Sequence, residues 1–303
     1  MREDATPGRS CTVDLGGPVH YLDFGGADDG PPVVLVHGLG GSHLNWDLVA
    51  PALREHGRVL ALDLPGFGRS EPGGRAASVP ANVAVLHRFL TEVVGEPAVL
   101  VGNSMGGMIS ILETGEHPEA VRGLVLLDPA VPGGRRSLDP RVAVMFALYA
   151  IPFVGERFLL WRRQRTSALA RVREMLELVG VDPEGVPADV IDRSVTLLEE
   201  RRDVQGMDRA FLAAARSLLR VLADPCRYRA AMASIDVPVL LVHGDRDRLV
   251  PVEAARDIAR RHPDWRYAEW SGVGHVPQLQ EPARLVAEVR DWMRDAELTG
   301  SRA

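Results

Sequence analysis

Ser104 stands between two glycines, in Gly102-Asn103-Ser104-Met105-Gly106, after the apolar run Val99-Leu100-Val101 and before a helix-forming stretch. A strand that turns sharply through serine into a helix is a nucleophile elbow, and small residues two positions either side keep strand and helix from colliding. The turn lifts the hydroxyl clear of the sheet and sets it beside the unpaired N–H groups of a helix N-terminus, which favour developing negative charge. A serine hydroxyl is a weak nucleophile near neutral pH. The chemistry therefore needs a histidine base, a carboxylate that orients it, and a second donor for the oxyanion.

Each has candidates. Val239-Leu240-Leu241-Val242-His243-Gly244 ends in the acids Asp245 and Asp247, and Gly272-Val273-Gly274-His275 presents an imidazole on a loop. The chain order is Ser, Asp, His. Upstream, Val33-Val34-Leu35-Val36 opens into His37-Gly38-Leu39-Gly40-Gly41, a glycine-rich loop suited to aiming the Leu39 N–H at an oxyanion.

The elements that must position these residues alternate. Strands are expected at 11–15 and 19–24, a hairpin about Gly16-Gly17-Pro18, and then at 33–36, 58–62, 98–101, 124–127, 239–242 and 265–268. Helices are expected at 44–53, 80–94, 105–115, 252–261 and 282–297. Such alternation predicts an α/β fold, a mostly parallel central sheet with helices on both faces and an antiparallel edge. Between 132 and 236 strand-like runs give way to arginine-rich helical periodicity, expected to be a helical lid inserted into a core made of 1–131 and 237–303. Apolar and aromatic residues crowd its first part; Phe146, Tyr149, Phe153 and Trp161 are the candidate pocket wall. Further helices are expected at 167–178, 188–201 and 207–222.

The sequence resembles the α/β-hydrolase superfamily. The resemblance rests on His37-Gly38-Leu39-Gly40-Gly41, Asp63-Leu64-Pro65-Gly66-Phe67-Gly68-Arg69-Ser70, the Ser104 elbow, Gly244-Asp245-Arg246-Asp247-Arg248-Leu249-Val250-Pro251 and Gly274-His275-Val276-Pro277. It implies a serine hydrolase with a lid. In that family the acid follows the penultimate strand and lies shortly before a Val-Pro, which selects Asp247 over Asp245, a loop brace, and over Asp128, where some relatives place the acid. His275 is then the base, His37 and His243 are structural, Asp63 braces a turn, and the Leu39 and Met105 N–H groups form the oxyanion hole. The expected reaction is acyl transfer from a carboxylic ester to water through an acyl-enzyme, on a substrate with an apolar acyl or aryl group, without metal or organic cofactor. Gly-Asn-Ser-Met-Gly-Gly also resembles the elbow of carbon–carbon hydrolases of aromatic ring-fission products. A slow-turnover ligand sensor on the same fold is the third reading.

Composition limits the alternatives. The 303 residues are 46% hydrophobic and 25% charged with a net charge of −6, and the 35 basic residues are all arginine without forming a dense basic stripe. That argues against nucleic acid as a partner and for a small molecule. The longest apolar passage, 142–160, is interrupted by Pro152, Glu156 and Arg157, short of the ~20 residues of a membrane-spanning helix. Cys11 and Cys226 stand far apart, and no apolar run follows the charged N-terminus. A cytoplasmic location is expected.

Overall fold

A computed structural model describes residues 8–133 and 139–299. Residues 1–7, on which the expectation about a secretory leader falls, 134–138, within the expected lid, and 300–303 lie outside the described residues.

The strands β1 (Arg9–Asp14), β2 (Pro18–Gly25), β3 (Val33–Val36), β4 (Val59–Leu62), β5 (Ala98–Asn103), β6 (Val121–Leu127), β7 (Val239–Gly244) and β8 (Arg266–Trp270) form one sheet in the order β1-β2-β4-β3-β5-β6-β7-β8. β1 pairs antiparallel with β2 and β2 with β4; every other pairing is parallel. The parallel strands read as unbroken apolar runs because both faces are covered, and alternate side chains serve opposite cores. Val34, Val36, Leu100, Leu124, Leu126 and Leu241 pack on one face. Val33, Leu35, Val99, Val101, Val125 and Leu240 pack on the other. Each such side chain contributes roughly 1.5–3 kcal/mol on burial.

Helices α1 (Ala50–Leu53), α2 (Val79–Phe89) and α3 (Met105–Glu116) come from the first half of the chain. Then α4 (Pro140–Ala150), α5 (Val154–Arg165), α6 (Ala168–Leu178), α7 (Ala188–Glu200), α8 (Met207–Ala223) and α9 (Cys226–Ala233) fall between β6 and β7, and α10 (Val252–Arg261), α11 (Pro277–Gln280) and α12 (Pro282–Asp295) follow. Residues of α2, α3 and α10 cover the first face, and residues of α1 and α12 the second.

One expected helix breaks, and the long apolar passage bends where its proline lies. The one at 44–53 is a 3-10 turn, His43–Trp46, and then α1, because Pro51 lacks the N–H a continuous helix would need and instead starts a new one. The apolar passage at 142–160 is two helices meeting at 115°, so among the described residues no single helix is long and apolar enough to cross a membrane. Pro152 lies in the break, and Phe153 turns the corner with φ +67°.

Candidate active site

Ser104 caps the strand-to-helix turn with φ +54° and ψ −116°, backbone angles that cost a non-glycine residue about 1–3 kcal/mol. Three hydrogen bonds hold it there. Its N–H donates to the Leu127 carbonyl (3.0 Å), and its own carbonyl accepts from Met108 (3.1 Å) and Ala130 (3.0 Å). A Cβ at Gly106 would lie 2.0 Å from the Val36 carbonyl oxygen, and one at Gly102 2.7 Å from Gly106 O, so no side chain fits either position. A Cβ at Gly38 would stand 3.0 Å from Ser104 Cβ. The loop after β3 thus passes directly over the serine. Among the described residues, neither the Leu39 nor the Met105 N–H donates a hydrogen bond, and Met105 opens α3.

His275 and Asp247 meet across the ends of β7 and β8, with Nδ1 2.6 Å from Asp247 Oδ2. Asp247 Oδ1 accepts from the N–H groups of Leu249 (2.7 Å) and Val250 (3.0 Å), which fixes the carboxylate. Burial pushes its pKa up, but the His275 charge and hydrogen bond, with help from His243, hold it below the usual carboxylate range. Nε2 of His275 is buried without a hydrogen bond among the described residues. Ser104 and His275 line one cavity of about 240 Å³ but are not bonded to each other in this state; contacts of this kind tighten when substrate seats.

Asp128, at the end of β6, lies close by. Its carboxylate, that of Asp247 and the His275 imidazole fall within 4.8 Å of one another. Oδ1 accepts from the Gly244 N–H (2.9 Å). Burial and the Asp247 charge push the Asp128 carboxyl well above its ordinary pKa. Asp245 accepts from Ser271 Oγ (3.0 Å) and the Gly272 N–H (2.6 Å), at the base of the histidine loop. His37 donates from Nδ1 to Gly38 O and accepts from the Leu64 N–H at Nε2; burial lowers its pKa to about 4, so it is neutral. His243 Nε2 donates to Val250 O. Asp63 accepts from both His20 and His43 and from the His43 and Arg69 N–H groups, tying the glycine loop to its neighbour. In another cluster outside the site, His87 Nδ1 lies 2.9 Å from Glu113 Oε1 and the His87 and His117 imidazoles stack at 3.7 Å.

Of the four aromatic pocket candidates, Phe146 and Tyr149 line the Ser104 cavity. Phe153 and Trp161 do not. They are 81% and 52% exposed, because the chain bends at 151–153 and the helical face set by α4 is not continued into α5. Trp161 stacks on Phe158 instead.

Two features of the site are not visible as motifs. Asn103 Nδ2 donates to Leu127 O and to His275 O, both at 3.0 Å, so the elbow itself anchors the histidine loop. Asn103→Ala removes both bonds, each worth about 1 kcal/mol. A stability loss of ~1–2 kcal/mol in denaturant unfolding is expected, and an unchanged midpoint would show that the tie carries no load. The second feature is the approach of the inserted helices. The His275 N–H donates to Val179 O (2.8 Å), and a Cβ at Gly274 would lie 2.6 Å from that same oxygen, so Gly274 is required by close packing as much as by loop flexibility.

Asp47, after the glycine loop, faces Arg193 of α7 at 3.3 Å with both carboxylate oxygens buried and without hydrogen bonds. Burial raises its pKa to about 6, partly opposed by Arg193. A carboxyl whose pKa is higher in the folded state stabilises the fold at low pH and loses that contribution as pH rises through 6. Asn mimics the protonated form, and Arg193 keeps Asp189 as a partner (3.0 Å). Asp47→Asn should therefore gain on the order of 1 kcal/mol over wild type between pH 5 and pH 8. Parallel unfolding curves at the two pH values test this; a constant difference would refute the shift.

With this geometry in place, comparison with known proteins is informative. A model of the alpha/beta hydrolase family matches residues 33–289. The chain belongs to that family. It is accordingly an enzyme, a hydrolase with esterase relatives, and the expected fold class holds. The pimeloyl-[acyl-carrier protein] methyl ester esterase of Aromatoleum aromaticum is 29% identical over 87% of this chain and 98% of its own length. A 2-hydroxymuconate semialdehyde hydrolase from a Pseudomonas species is 27% identical, covering 88% of each. The crystal structure of Cfl2 from Burkholderia cenocepacia superposes with a TM-score of 0.78 at 25% identity, over 96% of this chain and 98% of that one.

Proposed function

We propose that the protein is a serine hydrolase that cleaves carboxylic esters bearing an apolar acyl or aryl group. The observation that carries this reading is the Asp247–His275 hydrogen bond set beside a strained Ser104 at the floor of an apolar cavity. In the proposed mechanism His275 Nε2 takes the Ser104 proton as Oγ attacks the ester carbonyl. The Leu39 and Met105 N–H groups hold the oxyanion, and Asp247 fixes the imidazole tautomer and stabilises its charged form. Collapse expels the alcohol, which takes the proton from His275, and leaves the acyl group on Oγ. Water then repeats the sequence and releases the acid. The helices of 132–236 act as the lid over the core 1–131 and 237–303, excluding bulk water and supplying Phe146 and Tyr149 to the acyl pocket.

The likeness to an esterase of acyl methyl esters supports this reading. The likeness to a semialdehyde hydrolase supports a second, cleavage of a carbon–carbon bond beside a ketone. The test is p-nitrophenyl esters from acetate to octanoate beside a vinylogous diketo acid. Specificity should rise with acyl length until the pocket fills, as each buried methylene gains about 0.8 kcal/mol. Fast turnover of the keto acid with feeble ester hydrolysis would replace the first reading by the second; a single acylation without turnover would favour a sensor.

A further inference from the structure

A second chamber, of about 260 Å³, adjoins the Ser104 cavity: Gly40, Tyr149, Leu176, Phe211 and Leu279 line both. The chambers differ in charge. The outer one is lined by Arg162, Arg163, Arg171, Arg201 and Arg202, and by a single carboxylate, Asp208. In a chain of net charge −6 this is a local concentration of the opposite sign.

Some of that charge is neutralised within the protein. Arg162 pairs with Glu174, and Arg163 lies 3.5 Å from Asp208. Arg171 and Arg201 have no carboxylate partner among the described residues. Arg201 makes one hydrogen bond, from a terminal nitrogen to Gly66 O at 3.1 Å, and its Nε is buried without an acceptor. Burial lowers the pKa of both guanidiniums; Arg162 and Arg163 push Arg171 further down and Arg171 does the same to Arg201, opposed by the more distant charges of Asp208 on both, Glu174 on Arg171 and Asp63 on Arg201. A guanidinium withdrawn from water normally has an anion beside it, because desolvation without a counter-charge is costly. Two facing one chamber present several N–H donors, each guanidinium a planar fork suited to an oxyanion.

Resting on the esterase reading, we propose that Arg171 and Arg201 bind a terminal oxyanion on the far end of the acyl chain, so that the preferred substrates are half-esters: an ester carbonyl at Ser104, an apolar spacer along Phe146, Tyr149 and Phe211, and a carboxylate in the outer chamber. A phosphate-type terminus presents the same chemistry, and the test separates the two. Neutral fatty esters would fill the inner chamber and leave the arginines unmatched.

Binding and turnover are measured on monomethyl adipate, suberate and sebacate, on the matching dimethyl esters, and on methyl esters ending in a phosphonate. Calorimetric titration into Ser104→Ala should give at least tenfold tighter binding of the half-ester than of the diester at one or more chain lengths, and wild-type kcat/KM should show the same ratio. Whichever anionic terminus binds more tightly identifies the source. The ratio should fall to near one in the Arg171→Gln/Arg201→Gln double variant and persist in Arg173→Gln, whose arginine pairs with Glu184 outside the chamber. Should the double variant not fold, the half-ester to diester ratio in Ser104→Ala decides alone. Equal binding of half-ester and diester at every length overturns the proposal, and a ratio that survives the double substitution overturns its assignment to these arginines. Diester turnover without anion preference would leave the esterase reading standing and remove this one; anion-selective binding without turnover of any ester would keep the anion site at these arginines but overturn the esterase reading and, with it, half-esters as substrates.

Discussion

Ser104→Ala is expected to fold normally and to lose ester hydrolysis by about 10⁴-fold or more, the scale of triad removal in serine hydrolases. The hydroxyl makes none of the hydrogen bonds that shape the elbow; those are backbone bonds to Leu127, Met108 and Ala130, and alanine keeps them. What is lost is the hydroxyl proposed to form the acyl-enzyme. Unfolding curves and steady-state rates on one preparation separate the two effects. Retention of a tenth of wild-type activity would mean that the nucleophile lies elsewhere.

Asp247→Asn should approach that loss, whereas Asp128→Asn should stay within about tenfold of wild type. An asparagine at 247 can keep a hydrogen bond to Nδ1 only by favouring the wrong imidazole tautomer, which leaves Nε2 protonated and unable to accept the serine proton; such a change costs on the order of 10⁴-fold in turnover. Asp128 differs electrostatically. Burial and the neighbouring Asp247 charge favour its neutral form, which an amide reproduces, and an amide oxygen still accepts from Gly244. Asp247 itself stays ionised on the acid side of neutrality, because the His275 charge and hydrogen bond hold its pKa down against burial. If Asp128→Asn proves the more damaging, the orienting acid is at the end of β6 and not in the loop after β7.

The elements that carry the site were legible because each is written locally. A buried parallel strand must be an apolar run, and the turn after it must be small and polar, so Val99-Leu100-Val101 followed by Gly102-Asn103-Ser104-Met105-Gly106 leaves little freedom. The same reasoning placed β3 before the glycine loop and β7 before the acids. The inserted helices were less legible. A helical period shows which residues share a face only while the helix is unbroken, and the bend at 151–153 sends Phe153 and Trp161 outward while Phe146 and Tyr149 stay on the cavity.

What the sequence alone determined, then, is the order of strands and helices and the types of residue at their ends, because hydrophobic period, glycine and proline act over a few neighbours. The tertiary structure decided which acid meets His275. Asp128, Asp245 and Asp247 all end or follow sheet strands, and only folding turns Asp247 Oδ2 to within 2.6 Å of Nδ1 while leaving Asp245 on Ser271 and Gly272. It also decided that Arg171 and Arg201, thirty positions apart on α6 and just after α7, line one chamber with neither in an ion pair among the described residues. An arginine in a helical pattern reads as a solvated face. Whether its charge meets water, a partner or a cavity is fixed by how helices pack across the chain, and that depends on distances no local pattern encodes.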